Sequence, residues 1–288
     1  MKKLTQAEIR NVQIGILDQL VAICKENNLQ CYLAFGSLLG AVRHKGYIPW
    51  DDDIDVCMTR DEYEKLLEIL KNKNSRKPEW FTLIDDTCEG YYYPFAKVVD
   101  QRTEVDMERH TTKHGIWVDI FPLDGMAPNK KLAAFHIFIC SIIRVVVLAM
   151  DANLKNKKKD FDFFYKWLFK TLAHLIGTKR VCVFDAWLYK FWDVKKAKHI
   201  GTFFTNRGSR DILDKERLLQ VASYDFENRK YEGYADYDYY LSSLYGDYMK
   251  LPPKEQRIPH HFCDAIDPEK TFSFYEETFG KNKNNKTV

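Results

Sequence analysis

The sequence concentrates acidic side chains at residues 51–55, where four aspartates surround a single isoleucine in the order DDDID. An extended strand places alternate residues on one face, so Asp51, Asp53 and Asp55 are predicted to point together. Neighbouring like charges destabilise a strand unless a cation offsets them. Carboxylate oxygens are the ligands that Mg²⁺ and Mn²⁺ prefer, so the pattern predicts a divalent metal site at these three residues.

The alternative for an acidic run is a solvated loop or a helix cap. Apolar residues alternate with the carboxylates at Ile54, Val56 and Met58, which favours a structured strand with one buried face. A calcium-binding EF-hand loop is disfavoured, because its glycine and its closing glutamate are missing.

Two further segments could contribute to the same chemistry. Gly36 and Ser37 are predicted to form a turn between a strand and a short helix, where backbone N–H groups can bind phosphate. The alternative is a plain connection. Asp119 lies within an apolar segment, IWVDIF, where a carboxylate is costly to bury unless it is paired or ligates a metal. A salt bridge in the core is the ordinary alternative for this residue.

The elements that must position these residues follow from apolar periodicity and from capping patterns. Thr5 and Glu8 have capping-box spacing and predict a first helix that ends near residues 26–28; Thr59 and Glu62 predict another that ends near Leu70. Glycines and prolines separate these helices from short β-type segments, so we expect an α+β core within about the first 125 residues. Predicted strands span 31–35, 50–58, 80–84, 95–99 and 115–121, and a short helix spans 38–43.

Residues 130–198 form a long helical and apolar region. Residues 131–150 have the length of a membrane span, but His136, Cys140 and Arg144 fall on one stripe and an arginine within the segment makes a span costly. We therefore expect a core or surface-docking helix. The lysine-rich run at 155–159 is read as a solvated turn, with contact to an anionic membrane as the alternative.

Composition excludes several classes of protein. The chain has 44 basic and 41 acidic residues among 288, and this balance gives no electrostatic case for nucleic-acid binding. Seven cysteines stand singly without a CxxC pair, which argues against a disulfide framework or a zinc ribbon and favours a reducing cytoplasm. The amino-terminal residues, MKKLTQAEIR, continue into an amphipathic pattern rather than the apolar stretch of a signal peptide.

Residues 35–56, FGSLLGAVRHKGYIPWDDDIDV, closely resemble the LicD family of bacterial phosphorylcholine transferases, which is related to the fukutin group. Further similar segments are AKVVD at 96–100 and WVDIFPLDG at 117–125. Late in the chain, DFE at 225–227 and YGDYM at 245–249 before LPP are more loosely similar, and Asn228 stands where that family is expected to have glycine.

The resemblance implies a nucleotidyltransferase-like mixed β-sheet core with flanking helices and a helical insertion. We expect a catalytic core at 1–128, the insertion at 129–198, and a segment at 199–288 that completes the core and the acceptor side. The implied reaction is transfer of a phospho-alcohol, with CDP-choline as the favoured CDP-alcohol donor, to a hydroxyl of a cell-surface glycan. The acceptor is a glycan or lipid-linked glycan, such as a lipopolysaccharide or teichoic-acid precursor. The protein itself is expected in the cytoplasm, either free or peripherally bound at the inner face of the membrane.

Site residues follow from the same resemblance. Asp53, Asp55 and Asp119 are implied to be catalytic and to bind Mg²⁺ or Mn²⁺, with Asp51 as a fourth ligand. A nucleotide-sugar glycosyltransferase, a conventional nucleotidyltransferase and a binding-only protein remain the alternatives. The implied substrate-binding residues are Gly36, Ser37, Arg43, His44, Lys97 and Glu227; surface solvation or a local ion pair is the alternative for Arg43, His44 and Lys97.

Overall fold

The first helix forms as its capping box predicts. In the computed structural model, which describes residues 4–105, 114–154, 160–205 and 207–257 and the backbone of 272–274, helix α1 spans Gln6–Glu26. The Thr5 hydroxyl accepts a hydrogen bond from the backbone N–H of Glu8, and the Glu8 carboxylate accepts one from the backbone N–H of Thr5. The buried face of α1 packs against the central sheet.

Helices and strands alternate through the first half of the chain, and three helices interrupt them in the middle. The remaining elements are β1 (Tyr32–Leu33), α2 (Phe35–His44), β2 (Asp55–Thr59), α3 (Arg60–Lys71), β3 (Phe81–Ile84), β4 (Ala96–Val105), β5 (His114–Met126), α4 (Lys130–Asp151), α5 (Phe161–Ile176), α6 (Thr178–Tyr189), β6 (His199–Gly201), β7 (Leu213–Asp214), α7 (Lys215–Leu218), β8 (Val221–Phe226), β9 (Arg229–Tyr234), α8 (Tyr237–Tyr245) and β10 (Phe272–Phe274).

The described strands form one mixed sheet in the order β10-β4-β5-β2-β1-β9-β8, while β3 pairs with β4 and β6 joins β5 to β7. Strands β2 and β5 are parallel neighbours at its centre, whereas β4 runs antiparallel to β5. The largest hydrophobic core lies between this sheet and helices α1, α2, α3 and α8. The predicted fold class, an α+β nucleotidyltransferase-like core with flanking helices, is confirmed.

The acidic segment differs from its prediction, because strand β2 begins only at Asp55. Side chains of helix α1 bind the backbone carbonyl groups of the preceding residues. Arg10 donates to the carbonyl of Asp51 at 2.9 Å, and Gln13 donates to that of Asp52 at 2.9 Å. Because these carbonyls bond to α1 rather than to a neighbouring strand, residues 51–54 form a loop.

Two other local predictions need correction. The predicted strand at 31–35 is limited to Tyr32–Leu33, and helix α2 already begins at Phe35, so Gly36 and Ser37 lie in its first turn. Helix α3 forms without the predicted capping box. The Thr59 hydroxyl donates to the Glu62 carboxylate at 2.6 Å, and that carboxylate accepts from the backbone of Gln30.

The region predicted to be helical contains α4, α5 and α6, which pack against one another. One face of α4 closes a second, smaller hydrophobic cluster with α6 and with the residues that follow β5. Arg144 of α4 is buried and donates to the carbonyls of Phe204 and Thr205. Helix α4 is therefore attached along one face to the segment that follows β6.

Candidate active site

Three carboxylates converge where strand β2 begins beside the middle of its parallel neighbour β5. Asp55 is the first residue of β2 and lies directly opposite Asp119 of β5, while Asp53 is in the loop before β2. One carboxylate oxygen from each residue lies within 4.8 Å of the other two. This spacing fits a single hard cation that is bound by oxygen atoms, as Mg²⁺ and Mn²⁺ prefer.

Asp119 is oriented by two neighbours. Lys97 of β4 faces Asp119 in the antiparallel register, and its Nζ lies 2.5 Å from Asp119 Oδ1. The indole N–H of Trp117 donates to Asp119 Oδ2 at 2.9 Å. Both partners would lie in the second coordination sphere of a bound metal, because each carboxylate oxygen keeps a further lone pair for a cation.

The electrostatic environment favours a bound cation. Burial raises the pKa of Asp55 well above its usual value, and the charges of Asp53, Asp119 and Asp51 raise it further, whereas Lys97 lowers it. A carboxylate whose charged form is disfavoured in this way gains stability when a positive ion neutralises the cluster. The donor atoms and their mutual repulsion therefore fit the divalent metal that the sequence predicts.

The four predicted metal ligands divide into two groups that share Asp53. Asp51, Asp52 and Asp53 form one group, and Asp51 is not grouped with Asp55 and Asp119. The carboxylate of Asp51 instead lies against the first turn of α2. A Cβ atom at Gly36 would come within 2.5 Å of Asp51 Oδ2, so glycine permits this close approach.

Ser37 is buried behind the carboxylates, where its hydroxyl accepts a hydrogen bond from the backbone N–H of Asp55 at 2.9 Å. This bond fixes the first residue of β2 and so orients one of the clustered carboxylates. Neither Ser37 nor Gly36 lines the adjacent cavity. In this structure Gly36 and Ser37 help to position the acidic residues, and their contact with a donor phosphate stays a prediction.

The carboxylate cluster opens into a cavity of about 710 Å³, a volume typical of sites for small ligands. Its walls are mainly aromatic, and two cationic side chains reach it. The lining residues are Phe35, Asp53, Asp55, Tyr91, Tyr93, Phe95, Lys97, His114, Trp117, Asp119, Phe121, Leu148, Asp151, Phe204, Thr205 and Arg207.

Two predicted phosphate contacts lie outside this cavity. Phe35 lines the cavity at the start of α2, and eight residues at about 1.5 Å of rise each carry Arg43 roughly 12 Å along the helix axis. Arg43 donates to the carbonyl of Tyr248 at 2.7 Å and to the ring of His44 at 2.9 Å. Partial burial and the neighbouring guanidinium lower the pKa of His44.

Glu227 also lies outside the cavity lining, in the two-residue turn between β8 and β9. Its carboxylate accepts a hydrogen bond from the backbone N–H of Tyr47 at 3.1 Å and holds the loop that follows α2. Glu227 and Asn228 both have positive φ, which two-residue hairpins of this kind require. The expected glycine at Asn228 would satisfy the same backbone geometry.

Sequence reasoning missed Arg207, Tyr93, Phe204 and Asp151. Arg207 lies over the Phe35 ring at 4.6 Å; burial lowers the pKa of its guanidinium, but neighbouring acidic groups, among them Tyr245 and Asp55, raise it above the usual value. No local pattern around Arg207 indicates a role. Asp151 carried a signal, because an aspartate at the carboxyl end of an apolar helix opposes the helix dipole and needs a reason to be there.

Comparisons with known proteins identify the family to which the chain is similar. The model of the LicD/FKTN/FKRP nucleotidyltransferase-domain family matches residues 28–172. The lipopolysaccharide cholinephosphotransferase LicD of Haemophilus influenzae is 31% identical over 267 residues, which cover 92% of this chain and 99% of that protein. An uncharacterized protein of Rickettsia prowazekii is 44% identical over 45 residues, which cover 16% of this chain and 17% of that protein.

Proposed function

The chain belongs to the LicD family of nucleotidyltransferase-fold phosphotransferases, and from this premise we propose that it transfers phosphocholine to a hydroxyl of a lipopolysaccharide saccharide. The donor in this proposal is CDP-choline, and the cofactor is Mg²⁺ or Mn²⁺. The observation that carries the proposal is the convergence of Asp53, Asp55 and Asp119 on one cavity beside Lys97. The relative's printed name supports the choice of phosphocholine and lipopolysaccharide.

Each group of cavity residues has its own role in the proposed transfer. Asp53, Asp55 and Asp119 would hold the divalent ion, which neutralises charge on the donor phosphates when bound. Lys97 and Arg207 bind phosphate oxygens and stabilise the negative charge of the transferring group. The acceptor oxygen forms a bond to the choline-bearing phosphorus, the bond from that phosphorus to the bridging oxygen breaks, CMP leaves, and the hydroxyl proton passes to a carboxylate.

The products distinguish this reaction from its rivals. Purified protein with metal, a saccharide acceptor and CDP-choline, CDP-ribitol or CDP-glycerol is expected to release CMP fastest from CDP-choline. A glycosyltransferase would release a nucleoside diphosphate from a nucleotide sugar, and a nucleotidyltransferase would leave the nucleoside monophosphate on the acceptor. Either product would overturn the proposal. A binding-only protein would be indicated by failure to bind Mn²⁺ in a titration.

The proposed function also includes contact with a membrane, where a lipid-linked acceptor would lie. The exposed surface of α4, α5 and α6 supports this contact. Helix α4 is long and apolar enough to cross a bilayer by length and composition. However, 33% of its apolar 18-residue segment is buried inside the protein. Of the 22 large hydrophobic side chains that are exposed among the described residues, 17 lie at 132–191. Monomeric soluble proteins rarely expose apolar area on this scale.

The sequence of this region is strongly basic, and its lysine-rich run at 155–159, predicted to be a solvated turn, lies outside the residues that the structure describes. Residues 129–198 contain 15 lysines and arginines and 5 acidic residues, a net charge of +10, whereas the rest of the chain has a net charge of −7. Basic side chains around an exposed apolar face are attracted to anionic lipid. We therefore assign this face to the surface of an anionic membrane, on the cytoplasmic side. Free thiols at all six cysteines of the described residues are compatible with that compartment.

Helix α4 rests on the membrane in this proposal and does not cross it. Arg144 is bound to backbone carbonyls of the catalytic segment, and Asp151 lines the active-site cavity. Insertion of the whole helix into a bilayer would remove both residues from these positions and expose a charged side chain to lipid.

Vesicle sedimentation tests the membrane contact. The protein is expected to pellet with phosphatidylglycerol-containing vesicles at low salt, and less with phosphatidylcholine vesicles alone. Replacement of exposed Phe138 and Trp187 by serine should reduce pelleting, whereas replacement of exposed Met249, outside this surface, should not. Equal pelleting of all three proteins, or a lipid-free dimer that buries this face, would refute the assignment.

A further inference from the structure

The active-site cavity has two chemically different ends. At one end the carboxylates of Asp53, Asp55 and Asp119 lie beside Lys97. The other end is formed by aromatic rings and by the carboxylate of Asp151. Metal and phosphate chemistry explains the first end, but neither requires the rings and the carboxylate of the second.

The rings of the second end form a continuous aromatic wall, which we define as Tyr93, Phe95 and Phe204. Their centroids are 5.4 Å apart for Tyr93 and Phe95, 5.5 Å for Tyr93 and Phe204, and 5.3 Å for Phe95 and Phe204. Tyr93 and Phe204 meet edge to face, at an angle of 88°. The faces of aromatic rings carry partial negative charge and attract cations that are poorly hydrated.

Asp151 adds negative charge beside this wall. It is the last residue of α4, where the carbonyl groups carry the partial negative charge of the helix dipole, and the residue is 1% exposed. The Tyr93 hydroxyl donates to Asp151 Oδ2 at 2.6 Å, so the carboxylate is fixed against the wall. Ring faces, a helix carboxyl end and a carboxylate are three groups that attract a cation, and all three occur at this end of the cavity.

Lys97 marks where the two ends meet. Its Nζ is bound to Asp119 and lies 4.4 Å from the centre of the Trp117 ring, but it is 5.5 Å from the centre of Phe95. A phosphate beside Lys97 would therefore lie next to the aromatic wall. A cation joined to that phosphate by a short linker could reach the wall without leaving the cavity.

We propose that the aromatic wall and Asp151 bind the trimethylammonium group of the choline donor. This inference rests on the proposed function for the identity of the donor. A trimethylammonium group cannot donate hydrogen bonds and is weakly hydrated, so ring faces and one fixed carboxylate suit it better than they suit a primary ammonium group. The wall thereby selects choline against neutral alcohols.

Binding of two matched ligands tests the subsite without any turnover. Phosphocholine and 3,3-dimethylbutyl phosphate have the same shape, but only the first carries a positive charge. Titration calorimetry in Mg²⁺ is expected to give wild-type protein a preference of about 10-fold for phosphocholine. Asp151→Asn should reduce that preference to about 2-fold or less, and Phe204→Leu should also lower it. Asp185→Asn, which changes a buried carboxylate outside the cavity, should keep it.

The outcomes separate the subsite from the transfer reaction. Equal affinity of the wild-type protein for the two ligands, or an unchanged preference in Asp151→Asn, overturns the subsite. Thermal melting confirms that each variant is folded, and Asp151→Asn alone suffices if Phe204→Leu does not fold. Retention of the phosphocholine preference without CMP release from any CDP-alcohol would defeat the proposed transfer and leave the subsite standing.

Discussion

Replacement of Asp55 by asparagine is expected to stabilise the metal-free protein and to abolish its activity. The Asp55 carboxylate lies within 4.8 Å of those of Asp53 and Asp119. At this distance and an effective dielectric constant of about 20, each pair of full charges repels by roughly 3.5 kcal/mol. The substitution removes two of the three repulsions.

The net gain is smaller than the sum of these repulsions, because the raised pKa of Asp55 means that it partly avoids ionisation when no metal is bound. We expect the free energy of unfolding to rise by about 1–3 kcal/mol, or roughly 2–6 °C in melting temperature. A folded-state pKa above the unfolded value makes wild-type stability fall as pH rises from about 4. The variant's advantage should therefore be present at pH 8 and vanish near pH 4.

Metal should reverse this difference. Mg²⁺ or Mn²⁺ is expected to raise the melting temperature of the wild-type protein, because only the folded state brings the three carboxylates together. Asp55→Asn should lose this increment, and CMP release should fall by roughly 1000-fold. Asp225→Asn, which removes an exposed carboxylate of β8, serves as the control and should match the wild type. Full activity, or unchanged Mn²⁺ affinity, in Asp55→Asn would refute the assignment.

Three further substitutions test the surroundings of the site. Trp117→Phe removes the indole N–H that orients Asp119, so Mn²⁺ affinity in a calorimetric titration should fall by about 10–100-fold, and an unchanged affinity would contradict that role. Arg60→Met leaves the buried carboxylate of Asp124 without its salt-bridge partner, so the free energy of unfolding measured in urea should fall by about 3–5 kcal/mol. A fall below about 1 kcal/mol would contradict this role of Arg60. Burial raises the pKa of Asp185 to about 7, so its ionisation destabilises the fold as pH rises from about 4 to 7; Asp185→Asn should melt higher than wild type at pH 8 and equally at pH 4.

Much of the fold could be predicted because its signals are local. The capping box at Thr5 and the apolar periodicity of α1 depend on residues within a few positions of one another, and the helix forms as expected. Alternation around the acidic cluster was also informative, since Ile54, Val56 and Met58 are all fully buried or nearly so. Such patterns show which face of a helix or strand is apolar, because the order of residues within the segment determines that face.

The aromatic end of the cavity could not be predicted in the same way. Tyr93 and Asp151 are 58 residues apart in the chain, and Phe204 lies a further 53 residues on. Core packing is the ordinary explanation for the rings of Tyr93 and Phe204, and the position of Asp151 at the end of α4 does not reveal its partners. Only the fold brings the three side chains to one cavity. Tyr93 precedes β4, Asp151 ends α4 and Phe204 follows β6, and these three elements are far apart in the chain.

The acidic loop shows how a correct set of residues can follow from an incorrect local geometry. Strand alternation predicted that Asp51, Asp53 and Asp55 share a face, yet the strand starts at Asp55 and the chain turns before it. Asp53 still reaches Asp55 and Asp119, because Arg10 and Gln13 of α1 hold the carbonyls of the loop in place. Sequence spacing identified the chemistry of the cluster. Strands β2 and β5 position Asp55 and Asp119, whereas the position of Asp53 depends on tertiary hydrogen bonds from helix α1, about 40 residues away in the chain.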